Sequence, residues 1–336
     1  MHLTALVDSP EHVCCRYRLA AFQPYLERAG HAVKYVPMPR GWWRRFWYLR
    51  SNRYETTILQ RRLLSQPELH VLRRNTGHLI FDFDDAVWLR DSHASKGLES
   101  VRRAARFAAT VAAADSVFAG NTFLAEMARR FTDPRRVHVV PTCVDPAAYP
   151  KAEHTRQGEG VRIVWIGSAS TLRSLELFRG FLEEIGLCLP GLRLKLVCDQ
   201  FLSFKNLPVD QYRWQQSTEA IEVATSDIGI AWMPDDDWSR GKCGLKVLQY
   251  MAAGLPVVAN PVGVHNEMIR EGETGYLATT ASKWVAVLRS LVRNPDLRRR
   301  LGEAGRRRVE DRYGVATGAS QWLRVLAGPR GRRAAA

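Results

Sequence analysis

Residues Gly241–Ala278 read GKCGLKVLQYMAAGLPVVANPVGVHNEMIREGETGYLA, and the fold is decided by how this stretch is read. Its pattern is loop, helix, strand, loop, helix, turn, strand. Gly241 and Gly244 let the backbone come close to a ligand. A helix is predicted from about Leu245, and its first N–H groups, which lack partners inside the helix, form an anion site. Lys246 falls in the first turn, where a cation opposes the helix dipole unless an anion pairs with it. Leu245, Leu248 and Ala252 share one face, and Lys246 and Gln249 share another. A first-turn Lys with a Gln one turn on suits a diphosphate and an adjacent sugar hydroxyl. A solvated Lys–Gln face is the plainer reading of the helix taken alone. His265 opens the next helix and reads as a surface histidine.

Upstream of this stretch the chain alternates strands and helices. Val161–Gly167, a helix near Thr171–Leu187 and Leu192–Cys198 repeat the order of His2–Asp8, a helix near Cys15–Ala29 and His31–Pro37. Short apolar runs followed by helices predict parallel sheets in α/β layers. Leu172, Leu175, Phe178, Leu182 and Ile185 have helical spacing and predict one buried face. Further strands are expected at His78–Phe83, Ser116–Ala119, Val137–Val140, Tyr212–Gln215, Ile228–Trp232, Pro256–Ala259 and Tyr276–Ala278. The Pro-, Lys- and Gly-rich run Pro146–Gly160 reads as a linker. Helices near Ala281–Asn294, Pro295–Arg312 and Ala316–Leu326 close the chain. The predicted division is an N-terminal domain at 1–150, a C-terminal domain at 151–312, a crossover helix at 313–327 and a disordered tail at 328–336.

A chain of 336 residues exceeds what one hydrophobic core usually serves, consistent with two domains. With 46% hydrophobic and 25% charged residues it has a globular composition. The net charge of +15 favours an anionic partner: nucleic acid, a phosphorylated ligand or an acidic membrane surface. No nucleic-acid recognition motif supports the first. The six cysteines have neither CxxC nor zinc-finger spacing and are expected to be reduced thiols in a cytoplasmic protein. Neither a signal peptide nor a transmembrane stretch is predicted, so any attachment at the inner membrane face would be peripheral.

In the N-terminal half, LIFDFDDAVW at Leu79–Trp88 delivers Asp82, Asp84 and Asp85 to the carboxyl end of a strand, where α/β sheets hold ligands. Asp84 and Asp85 are candidate catalytic residues in an interdomain cleft, with helix capping as the alternative. Asp82-Phe83-Asp84 also matches the DxD metal–nucleotide pattern, a match judged misleading here. Arg16 and Arg18 open the first helix and would face phosphate or acceptor, or else form a solvated basic turn. Asn121 ends a strand and is either a cleft residue or a cap. Arg40–Arg53, RGWWRRFWYLRSNR, interleaves Trp42, Trp43, Phe46, Trp47 and Tyr48 with Arg44, Arg45 and Arg50. That composition suits an anionic membrane interface, and equally a partly buried helix.

The stretch from Gly241 to Ala278 resembles the donor-binding signature of retaining glycosyltransferase family four (group 1), and about forty residues match in order. WIGS at Trp165–Ser168 and PTCVDPAAY at Pro141–Tyr149 extend the resemblance. It implies the GT-B fold: α/β, two Rossmann-like doubly wound domains facing a cleft. It implies a retaining, hexosyl-type transferase moving a sugar from a nucleoside diphosphate sugar to an acceptor hydroxyl, in envelope polysaccharide or glycolipid synthesis. The acceptor would be lipid-linked or a saccharide. The donor would be held by Gly167, Ser168, Arg173, Cys243, Gly244, Leu245, Lys246 and Gln249, with Lys246 also catalytic. No cofactor and no metal is expected, and no nucleic-acid partner. The family's pair of Glu separated by seven residues falls here on Gly241 and Gln249. Asp235–Asp237 or Lys242 would then take the sugar contact. The missing first Glu also admits a non-catalytic nucleotide-sugar or polyanion-binding protein.

Overall fold

The computed structural model describes residues 1–158 and 160–327; the tail expected to be disordered at 328–336 lies outside the described residues. The chain forms two compact units, one of residues 1–143, 241–243 and 315–327, the other of residues 144–240 and 244–314.

The first unit contains strands β1 (His2–Val7), β2 (Ala32–Pro37), β3 (Tyr54–Gln60), β4 (Thr76–Phe83), β5 (Ser116–Ala119) and β6 (Val137–Val139). They form one parallel sheet in the order β2-β1-β3-β4-β5-β6. The strand order reverses between β1 and β3, so the loops following them meet at a topological switch point, the usual place for ligand groups. The helix expected over Cys15–Ala29 is three pieces: Val13–Arg18, a 3-10 turn at Ala20–Phe22 and Gln23–Arg28. Pro24 sits in the first turn of the last piece and has no N–H to continue the helix before it. The final helix, Val315–Leu326, contributes Trp322, which packs edge-on to Phe118 with ring centroids 4.3 Å apart.

The second unit contains β7 (Arg162–Ile166), β8 (Arg193–Cys198), β9 (Val209–Arg213), β10 (Ile228–Ala231), β11 (Val257–Ala259) and β12 (Gly275–Leu277), in the order β12-β11-β10-β7-β8-β9. All neighbours are parallel and the switch point lies between β7 and β10. Leu172, Leu175, Phe178, Leu182 and Ile185 are all buried, as their spacing predicts. Their helix is nonetheless broken into Ala169–Leu177 and Arg179–Cys188. The break at Phe178 lets that ring stack on Phe181 and Trp232 and pack against Trp284.

The segment expected as a linker packs onto the second unit. Tyr149 and His154 are buried, Ala152 donates its N–H to the Ala253 carbonyl at 2.9 Å, and His154 Nε2 lies 2.8 Å from the Gly254 carbonyl. Its polar composition hid these anchoring side chains.

Candidate active site

In the second unit the helix Leu245–Ala252 follows Gly244, whose left-handed φ of 65° leaves the turn open only to glycine. A Cβ there would also stand 2.7 Å from Met268 Sδ and 2.9 Å from Val264 Cγ2. Having no side chain, Gly244 caps none of the first N–H groups, so the helix start keeps its capacity for an anion. The Lys246 ammonium lies 4.1 Å from the centroid of the Trp165 ring, which is buried at the carboxyl end of β7. A cation over an indole is held by about 1–2 kcal/mol. The same helix is tied to β7 by Tyr250, whose hydroxyl accepts the Ile166 N–H at 3.1 Å.

The helix start that follows β7 differs. Ser168 caps Ala169–Leu177 in a capping box with Thr171, and the Ala169 N–H donates to Asp199 at 2.7 Å. A carboxylate of the chain already occupies that helix start, so the Gly167–Ser168 loop offers a phosphate less than its sequence implies. Arg173 is exposed on this helix. Gln249 is buried, and its amide donates to the Tyr149 hydroxyl at 3.2 Å. Asp235 and Asp237 pair with Arg240 at 2.9 and 3.3 Å, and Asp236 accepts the Ser239 N–H. These three carboxylates, proposed from sequence as substitutes for the missing Glu, are engaged locally.

His265 is buried, contrary to the surface position expected. Its Nδ1 lies 2.8 Å from the Asn260 carbonyl, and that hydrogen bond makes the interior position tolerable. Burial depresses its pKa to about 4, so the ring is neutral at pH 7.

In the first unit the carboxyl ends of β1, β3 and β4 hold a network of charges. Arg18 is 1% exposed and grips Asp82 with Nε at 3.1 Å from both oxygens and Nη2 at 2.5 Å. It also donates to the Val140 carbonyl at 2.9 Å. Arg18 is therefore a core residue rather than a phosphate or acceptor contact, because its guanidinium is turned inward to Asp82 and the Val140 carbonyl. Arg16, two positions earlier, is half-buried. Arg61, at the end of β3, adopts a left-handed φ of 58° and reaches Asp84 at 3.2 Å and Asp85 at 2.5 Å. Lys242 adds a second cation to Asp85 at 2.9 Å. Burial opposes the charge on Asp84, but Arg61, Arg18 and Lys242 outweigh it and hold its carboxyl below the usual range. Cys243 groups with this unit and donates its thiol to the Asp84 carbonyl at 3.2 Å. Asn121 is the N-cap of Thr122–Arg129, accepting the Leu124 N–H at 2.8 Å while its amide donates to the Lys242 carbonyl at 3.0 Å. It serves as a cap and as a brace for the 241–243 segment.

Along the helix Trp42–Ser51, Leu49 is buried, Trp42 donates to Ser65 at 3.0 Å and Arg45 pairs with Glu68 at 2.8 Å. Trp43 and Trp47 are 67% and 54% exposed, and Arg50 lies over the Trp47 ring. The packed reading fits Leu49 and Arg45 but not these two indoles. Among the described residues no helix is long and apolar enough to cross a membrane.

Sequence reasoning missed Arg61, Asp199, Tyr149 and the role of the Trp165 ring. The Arg61 signal was present in YETTILQ followed by two arginines, a β-branched run ending in charge.

Residues 211–308 match the family model of glycosyl transferases group 1. A phosphatidyl-myo-inositol mannosyltransferase from Mycobacterium leprae is 38% identical over 84 residues, 24% of this chain and 22% of that protein. Sucrose-phosphate synthase from Thermosynechococcus elongatus superposes with a TM-score of 0.74 at 13% identity, covering 97% of this chain and 98% of that one. An Anabaena protein, HepE, in complex with UDP and glucose, superposes with a TM-score of 0.69 at 14% identity, covering 98% and 100%. The chain thus has the GT-B fold of glycosyltransferases, and its second unit carries the stretch that matches the group 1 family.

Proposed function

We propose that this protein transfers a hexosyl group from a nucleoside diphosphate sugar to an acceptor hydroxyl, with retention of anomeric configuration. The observation that carries the reading is the Gly244-led helix start, with Lys246 in its first turn, inside the segment matching the group 1 family. The bond from the anomeric carbon to the diphosphate breaks, a bond to the acceptor oxygen forms, and the acceptor proton is released. Lys246 and the Leu245 and Lys246 N–H groups stabilise the charge that builds on the departing diphosphate. Such a site works without metal, and Asp82, Asp84 and Asp85 are held by Arg18, Arg61 and Lys242. Activity is accordingly expected to survive EDTA. Loss on chelation with recovery on adding Mg²⁺ or Mn²⁺ would overturn this.

The acceptor class follows from two supports. The Mycobacterium leprae relative is named for a lipid acceptor, phosphatidyl-myo-inositol. Trp43 and Trp47 are exposed among Arg44 and Arg50, the composition of an interfacial helix. We read the acceptor as lipid-linked or part of an envelope polysaccharide, met at the cytoplasmic face of a membrane. A thermal-shift screen against UDP, GDP, ADP and dTDP, followed by transfer assays with the sugars of whichever nucleotide raises the midpoint, tests the activity. Gly241 in place of the family's first Glu favours a second reading, a nucleotide-sugar-binding protein without catalysis. Binding with neither hydrolysis nor transfer of any nucleotide sugar would select it.

A further inference from the structure

The second unit has a cleft of about 500 Å³ between the helix Pro295–Arg312 and the turn ahead of β12. Its walls carry the guanidiniums of Arg270, Arg300, Arg307, Arg308 and Arg312, against the carboxylates of Glu273 and Asp311. Arg300, Arg307, Arg308 and Arg312 recur at helical spacing, so one face of the helix supplies four of the five charges. Ala304 lies between them, and its small side chain keeps the floor of the cleft open. Arg308 is anchored by donating to the Met268 carbonyl at 2.9 Å and the Glu267 carbonyl at 2.5 Å, and Arg270 pairs with Glu273 at 3.0 Å. Among the described residues, Arg300, Arg307 and Arg312 make no ion pair. Arg308 and Arg312, one turn apart, repel each other unless an anion lies between them.

The turn precedes β12 and so stands at the amino end of that strand, whereas Gly167 and Gly244 serve the carboxyl ends of the same parallel sheet. The cleft is therefore a different place from the donor site, and nothing in its chemistry depends on the glycosyl-transfer reading. Guanidinium forks match tetrahedral phosphoryl oxygens bidentately, and five of them line this one concave surface. We propose that this cleft binds a compact anion carrying two or more phosphoryl groups.

Tripolyphosphate is the probe, measured by isothermal titration at low salt. Three proteins are compared: the unmodified chain, Lys246→Ala, and the triple variant Arg300→Ala, Arg307→Ala, Arg312→Ala. The three arginines are exposed, so the triple variant is expected to melt with the parent, which a thermal scan verifies. Its tripolyphosphate affinity is expected to fall by about tenfold or more, the scale of losing charged hydrogen bonds, while Lys246→Ala retains the cleft binding. Affinity unchanged in the triple variant but abolished by Lys246→Ala would place all the binding at the donor helix and overturn the proposal. So would the absence of binding in the unmodified chain. Failure of Lys246→Ala to weaken nucleotide binding would count against the donor reading alone. Anionic and neutral vesicles distinguish the source. If the triple variant also loses anionic vesicles, the phosphoryl groups belong to lipid headgroups; if vesicle binding persists, the ligand is a soluble phosphate.

Discussion

The two sheets have similar topology and use charge at their carboxyl ends in opposite ways. In the first unit Asp82, Asp84 and Asp85 meet Arg18, Arg61 and Lys242, and every one of these cations is engaged with a carboxylate of the same unit. In the second unit Lys246 lies over an indole beside a helix start that carries no side-chain cap. The first arrangement holds the protein together; in the second the helix start keeps the capacity of its first N–H groups for an anion. A charged residue at the end of a parallel strand is therefore not in itself a sign of a site. What it faces decides.

The sharpest way to break this comparison is to unbalance the first network. Arg18→Met leaves Asp82 buried without its partner and is expected to cost about 3–5 kcal/mol of stability, read from urea unfolding. Replacing both, Arg18→Met with Asp82→Leu, is expected to recover much of the loss. A small loss from Arg18→Met would show that the network is not structural. Next in size is the pH dependence from His265. Its folded pKa of about 4 lies below the reference of 6.5, so the folded state disfavours the proton. Its contribution is complete above pH 6.5 and falls as pH drops toward 4, by about 3 kcal/mol in all. Unfolding of the parent and of His265→Asn at pH 7 and 4.5 isolates it; equal pH slopes would refute the assignment.

Lys246→Ala sharpens the other half of the comparison. Nucleoside diphosphate binding is expected to weaken by about 1.5–3 kcal/mol, and loss of the indole contact to cost about 1–2 kcal/mol of stability. Unchanged affinity would remove Lys246 from the site. The smallest effect belongs to the helix Trp42–Ser51. Arg45 is occupied by Glu68, so Arg44 and Arg50 are the charges to test. Arg44→Glu with Arg50→Glu is expected to reduce co-sedimentation with anionic vesicles, each arginine contributing about 1 kcal/mol. Equal recovery with neutral and anionic vesicles would leave the exposed indoles without a membrane.

The parallel strands were legible because strands buried on both faces read as continuous apolar runs, as Leu79–Phe81 and Ile163–Ile166 do. β3 was not, since Thr56, Thr57 and Gln60 interrupt its pattern; Thr57 is tolerated inside because its hydroxyl bonds to that of Thr76 at 3.0 Å. With β3 unseen, Arg61 had no place. The helix Leu245–Ala252 was legible from local order, because Gly244 and the first turn are neighbours in sequence, but only the resemblance of the whole stretch read it as more than a solvated face. Arg18 and Asp82 are 64 residues apart, and pairing at that distance leaves no trace in a single sequence. His265 was misplaced for a related reason: the carbonyl that makes it welcome in the interior is a backbone group, invisible in residue type.

The contact between Lys246 and Trp165 also equips the second unit with an optical gauge. An ammonium close to an excited indole alters its emission, so any movement of Lys246 toward a bound diphosphate would register in the fluorescence of one buried chromophore. The chain has ten tryptophans, and a difference spectrum between the parent and Trp165→Phe would extract that one signal. Titrated with nucleotide, it would time the departure of the ammonium from the ring on the scale of the binding step itself.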